Sequence, residues 1–369
     1  MLTFDAHLDL AMSAMERNRD LSRPIGEIRE RERGLTDKAD RGRGTVCFPE
    51  MRRGRVGLCV ATQIARYVRP GNARHGWHTP AQAWAATQGQ LAWYRAMEEV
   101  NELVQIKDAD ALEQHVQYWR QWIDRKIETG NPREEKRPIG YILSLEGADS
   151  LITFGHLEKA YAQGLRAVGP AHYGPGTYAP GTAATGKLSP KGRELLKEMQ
   201  RLRIILDVTH LTDESFWEAI ELFDGHLWAS HSNCRALVPH ERQLSDEQIK
   251  VLIERGAVIG VALDAWMLFP GWVKHETRAD AVGLKLERLV EHIDHVCQIA
   301  GNACHSGMGT DLDGGFGNEQ TPVDMDTIAD VARLPELLRD RNYSEDDIRR
   351  IMHGNFVRFL HEAWTDSVW

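Results

Sequence analysis

A chain of 369 residues exceeds the usual single domain, yet an α/β barrel with insertions reaches this length as one unit, so residues 1–369 are read as a single domain. A formal net charge of −9 lacks the positive field of a phosphate-binding groove, and the basic runs at 29–33 and 52–55, broken by Glu or Gly, read as solvated faces. No apolar run nears the roughly 20 residues that span a bilayer, no basic head with an apolar core opens the chain, and five cysteines without a C-x-x-C pair argue against disulfides. A cytoplasmic protein with neither a nucleic-acid nor a membrane partner is expected.

In chain order, short apolar, β-branched runs alternate with stretches of helical periodicity, the pattern of parallel βαβ units. Eight strand candidates lie at 2–5, 56–63, 139–145, 165–168, 204–208, 227–229, 257–263 and 305–309. Helical spacing recurs at 195–202, 216–222 and 249–253. Ser245-Asp246-Glu247-Gln248 is a capping-box start for the last of these. Eight strands with intervening helices predict a (β/α)8 barrel. Residues 67–138 are the longest departure, with Trp-rich helical stretches around Trp84 and Trp93 and around Trp119 and Trp122, ending in a polar run at 129–137 that reads as an exposed loop. They are read as a helical insertion packed on the barrel between the second and third strands. That insertion and the eleven tryptophans leave room for a homodimer interface.

Chemistry-bearing residues fall where these strands end, the edge at which barrel enzymes build their sites. The opening Phe4-Asp5-Ala6-His7-Leu8-Asp9 places an imidazole and a carboxylate two apart, on one face if the strand continues. Their nitrogen and oxygen donors suit Zn²⁺. The bland alternative is a buried His and an N-capping Asp. The third candidate ends Leu143-Ser144-Leu145-Glu146, and a carboxylate there can bridge two cations or simply start a helix. The fourth runs into His172 and a Gly/Pro-rich loop, the fifth into Asp207-Val208-Thr209-His210, the sixth into Ser230-His231-Ser232. One histidine at a strand end is more often structural, but three in succession are hard to obtain by chance. The last candidate delivers Gly309-Thr310-Asp311-Leu312-Asp313-Gly314, where a turn-forming role competes for Asp311 and is preferred for Asp313.

Taken together, in this order and over almost the whole chain, these motifs resemble the renal or membrane dipeptidases and their bacterial relatives, a branch of the amidohydrolase-like barrels. The resemblance implies two Zn²⁺ per chain, bridged by Glu146 and a water or hydroxide. His7, Asp9 and Glu146 would hold one ion, and Glu146, His210 and His231 the other. It further implies that His172 contacts the substrate carbonyl, that Arg242 in His240-Glu241-Arg242-Gln243 binds the substrate carboxylate, and that Asp311 handles protons. Alone, Arg242 reads as a surface ion pair. Two features depart from the family: Gln243 stands where Asn is common, and the segment after His172 differs. Both flank the expected substrate, and Gln243 is expected to widen or retune that pocket.

The chemistry follows from the groups as well. Paired zinc ions bring water near neutrality, a zinc ion and His172 stabilise charge on a carbonyl oxygen, Asp311 moves the proton, and Arg242 suits a terminal carboxylate. The expected activity is hydrolysis of dipeptides, including those with a C-terminal D-residue. Hydrolysis of N-acyl amino acids, lactams or other small amides, and a non-hydrolytic metal-dependent barrel, are the alternatives. Mn²⁺, Fe²⁺ and Co²⁺ suit the same donors.

Overall fold

Eight buried apolar segments pair side by side and parallel because each carries a near-continuous run that only a sheet covered on both faces can hide. In the computed structural model, which describes residues 1–68, 75–129 and 136–366, they are β1 (Thr3–Leu8), β2 (Val56–Ile64), β4 (Ile139–Glu146), β5 (Leu165–Gly169), β6 (Ile205–Asp207), β7 (Leu227–Trp228), β8 (Ile259–Val261) and β9 (Ser306–Met308). The order is β7-β6-β5-β4-β2-β1-β9-β8. Ala229 closes the ring, its N–H donating to Val258 O at 3.2 Å and its carbonyl accepting from Gly260 N at 2.8 Å. All eight expected strands are therefore present and form the (β/α)8 barrel. The first runs three residues further than expected, to Leu8, whereas the segment expected at 257–263 keeps only three ladder residues.

The expected helical insertion contains a strand that periodicity did not reveal. Helices Pro80–Glu99 and Ala109–Thr129 flank β3 (Leu103–Gln105), whose three residues are too few to show alternation. This strand pairs with Ile139, Gly140 and Tyr141, the edge of β4 that β5 leaves open until Leu143. Helix Ala109–Thr129 lies close against the barrel because two strand positions lack a side chain. A Cβ on Gly57 would stand 2.5 Å from Trp119, and one on Gly140 2.6 Å from His115. Tyr94 and Trp119 belong to the same apolar cluster as the strands. Most of the polar run expected as a loop, 130–135, lies outside the described residues. The capping box at Ser245 forms as expected. The described cysteines are free, and no described helix is long and apolar enough to cross a membrane.

The basic runs are less solvated than their composition suggests. Arg29 bonds Asp326 at 2.9 Å, and Arg52 donates to Glu102 and to the Arg137 carbonyl. Asp313 also does more than turn the chain. It adopts φ +61, as a turn aspartate can, but its buried carboxylate accepts from Thr45 N at 2.8 Å and Val46 N at 3.0 Å. Arg19 Nη1 stands 3.2 Å from it while also pairing with Glu32 and Asp40. This buried network pins the segment before β2 against the loop that carries Asp311.

Candidate metal centre and active site

Because the strands are parallel, their C-terminal ends form one rim, and the histidines and acids collect there. His7 is the penultimate residue of β1. Asp9 follows in the N-cap position of helix Leu10–Glu16 yet makes no capping bond. Its carboxylate accepts from Thr62 on β2 and lies 3.9 Å from His7 Nε2. The expected shared strand face is thus replaced by a strand residue and a helix-start residue, both turned inward. Glu146, the last residue of β4, sits at the centre: Oε1 is 3.1 Å from His210 Nε2, 3.4 Å from His231 Nε2 and 3.6 Å from His7 Nε2. The Nε2 atoms of His210 and His231 stand 3.2 Å apart. Asp311 Oδ1 is 3.7 Å from His7 Nε2. Every site residue expected from the sequence, except Arg242 on the adjoining wall, falls within this cluster.

Tertiary neighbours set which atom of each ring faces inward. Thr182 Oγ1 lies 2.8 Å from His210 Nδ1, and Ser230 Oγ lies 2.8 Å from His231 Nδ1. With these hydroxyls accepting from Nδ1–H, the Nε2 lone pairs are left to face Glu146. Close approach makes this possible, for a Cβ on Gly181 would stand 1.7 Å from the His172 carbonyl oxygen and one on Gly309 1.8 Å from that of Ser230. His172 is held in the opposite sense. Arg66 Nη2 donates to its Nδ1 at 2.5 Å, and a guanidinium has donors only, so the neutral ring carries its proton on Nε2. Burial, reinforced by Arg66, pulls the His172 pKa down to about 3 and keeps the ring neutral. Nε2, 3.9 Å from Glu146 Oε2, is therefore a hydrogen-bond donor aimed into the pocket.

The electrostatics favour a cation. Burial, with repulsion from Asp9, raises Glu146 to about 7, and burial with the charges of Asp9 and Glu146 raises Asp311 well above the carboxylate range. Burial opposes charge on His7 as well, but Glu146, Asp9 and Asp311 together lift it to about 10. Burial, aided by Arg242 and neighbouring rings, depresses His210 and His231 well below 6.5. His7 Nε2 and Glu146 Oε1 are buried with no hydrogen-bond partner among the described residues, a costly arrangement unless a cation satisfies them. Three overlapping triples bring their polar atoms within 4.8 Å of one another: His7, Glu146 and His231; Glu146, His172 and His210; His7, Asp9 and Asp311. In the second, His172, with Nδ1 taken by Arg66 and Nε2 protonated, has no lone pair free for an ion. Glu146 belongs to two of them, and the nitrogen and oxygen donors suit zinc.

A cavity of about 170 Å³ adjoins these donors. Arg242, 5% exposed, lines it and makes no ion pair with a described carboxylate; its guanidinium donates to Ser232 Oγ at 3.1 Å and to the His231 carbonyl at 2.7 Å. The surface ion pair that its local sequence suggests is absent. Gln243 does not line the cavity, contrary to expectation: its Nε2 donates to the Met267 carbonyl at 2.8 Å and ties two loops together. Tyr173, from the segment after His172 that was expected to flank the substrate, lines the cavity, as do Asp264, Trp266 and Lys274, which were not read from the sequence. Asp264 carried a usable signal, an acid directly after the apolar run 257–263. Arg66 and Thr182 carried none, since their partners are 106 and 28 residues away. Larger hollows of about 660 and 630 Å³ lie elsewhere and contain none of the donors.

Comparison with known proteins gives the chain's family and fold. A family model for membrane dipeptidases (peptidase family M19) matches residues 1–367. Dipeptidase tcpJ of Claviceps purpurea is 28% identical over 236 residues, covering 61% of this chain and 52% of that protein, so the match spans about half of that relative. The fold superposes along 99% of both chains on dipeptidase AC, a metallopeptidase of family M19, with a TM-score of 0.77 at 23% identity. A metallopeptidase from Rhodobacter sphaeroides aligns along 99% of both chains with a TM-score of 0.75 at 22% identity. These structural likenesses establish the barrel, and the family model extends from the first strand to the last helix. The chain belongs to the membrane dipeptidase family, peptidase family M19, and with it to the metallopeptidases.

Proposed function

We propose that this chain is a dinuclear zinc dipeptidase, carried by one domain spanning residues 1–369 in which 67–138 elaborate the barrel. The carrying observation is the convergence of five donors from four strand ends beside a buried guanidinium that has no carboxylate partner among the described residues. In this reading His7, Asp9 and Glu146 hold one ion, and Glu146, His210 and His231 hold the other. When bound, the zinc pair supplies activated water near neutral pH and polarises the scissile carbonyl. Arg242 pairs with the free carboxylate of the dipeptide and fixes its register. His172 donates from Nε2 to the carbonyl oxygen as charge develops on it. Asp311 takes the proton of the attacking water and returns it to the leaving nitrogen. The Rhodobacter sphaeroides relative was captured with a phosphinate mimic of L-Ala-D-Ala, which places L,D-dipeptides beside L,L-dipeptides among the substrates to assay.

Metal analysis tests the centre directly. Fully loaded protein holds close to two zinc ions per chain, and His210→Ala or His231→Ala loses the second ion first. At most one ion in the loaded wild type overturns the dinuclear reading. Thr182→Val removes the hydroxyl behind His210 and weakens zinc binding roughly 10- to 100-fold in a chelator competition, with the fold retained.

A further inference from the structure

Asp264 stands three residues beyond the end of β8 and is buried, and its oxygens are already engaged. Oδ1 accepts from Gln320 Nε2 at 2.6 Å, Oδ2 accepts from Trp266 Nε1 at 2.6 Å, and Lys274 Nζ stands 3.9 Å from Oδ2. A substrate ammonium would have to displace these partners, so Asp264 acts as an anchor rather than as a receptor. Lys274 is the group it presents. This side chain is half-exposed, lines the cavity, and holds its Nζ 5.5 Å from the centroid of the Trp266 ring. An ammonium has three donors, and the long contact to Asp264 is its only ion pair among the described residues.

The wall that carries Lys274 is locked to the loop that carries Arg242. The His240 ring meets Trp266 edge-on with centroids 4.8 Å apart, and its Nδ1 accepts from Arg242 N at 3.0 Å. Gln243 Nε2, donating to the Met267 carbonyl, adds a second tie. Two cations are thereby presented to one small cavity by a single tied unit, although a terminal carboxylate needs only one of them. We propose that Lys274 is a specificity residue for a second anionic group, and that the preferred substrates are dipeptides whose C-terminal residue is aspartate or glutamate. The acidic side chain belongs to the C-terminal residue because the group read by Arg242 is the carboxylate of that same residue. This inference rests on the dipeptidase reading for its substrate and on the cavity wall for its selectivity.

The test compares isosteric pairs. Zinc-loaded wild type is assayed on Ala-Asp and Ala-Asn, each as the L,L and the L,D diastereomer. kcat/KM favours the aspartyl member by about tenfold or more, the size of a charge-assisted contact. In Lys274→Gln that ratio falls to near one, and in Lys274→Glu it inverts. A wild-type ratio near one, or a Gln variant that keeps the preference, overturns the proposal. Titration calorimetry with free aspartate and asparagine, which cannot be turned over, separates the two readings. If neither dipeptide is hydrolysed while aspartate outbinds asparagine through Lys274, the selectivity stands and the dipeptidase reading falls. Equal binding of the two amino acids without hydrolysis removes both.

Discussion

Asp311→Asn lowers kcat/KM for a dipeptide by roughly 10²- to 10⁴-fold, the range of general acid–base catalysis, while zinc content and Tm stay close to wild type. The substitution discriminates well because the residue occupies a left-handed turn at φ +58, a conformation that asparagine tolerates as readily as aspartate. Its backbone bonds, from Asp311 N to the His7 carbonyl at 3.3 Å and from Gly314 N to its own carbonyl at 2.9 Å, do not involve the carboxylate. What the change removes is a basic oxygen 3.7 Å from His7 Nε2. Loss of zinc together with activity would move Asp311 into the ligand set, in keeping with its grouping beside His7 and Asp9. Full activity would leave it a turn residue.

Arg242→Ala costs roughly 2–5 kcal/mol in kcat/KM on a free dipeptide, because the substrate carboxylate enters a buried site without its counter-ion. The guanidinium also donates to the carbonyl of His231, a proposed ligand, so part of any loss is structural. A C-terminal amide separates the two contributions. It offers no carboxylate, is a poor substrate of the wild type, and suffers only the structural part of the loss in the variant. The excess loss on the free dipeptide measures recognition. Equal losses on acid and amide would mean that Arg242 supports the loop and not the ligand.

The barrel was legible because each strand candidate is a short apolar run that ends at or within a few residues of a polar one, a signal contained within about ten residues of chain. Glu146, His210, His231 and Asp311 were singled out by that switch, and their succession along the chain together with the family resemblance gave them their roles. Asp264 shows the same switch and went unread, since an isolated acid after a strand carries no motif. β3 was hidden by its three residues; Asp9 was read as a donor, but on the strand face it would share with His7 rather than at the start of the helix that follows β1.

By itself, the sequence determined the kinds of donor and their order along the rim, because parallel βαβ units send every strand end to one edge whatever the loops do. Only the tertiary structure decided how those donors are used. Arg66, 106 residues from His172, makes that ring a proton donor, and Thr182 and Ser230 turn the other two rings into lone-pair donors. The same holds for the wall of Asp264, Trp266 and Lys274, tied to Arg242 through His240 and Gln243. Such contacts join segments from different βα units, and their geometry depends on how loops pack over the closed barrel, which no local pattern of residues encodes.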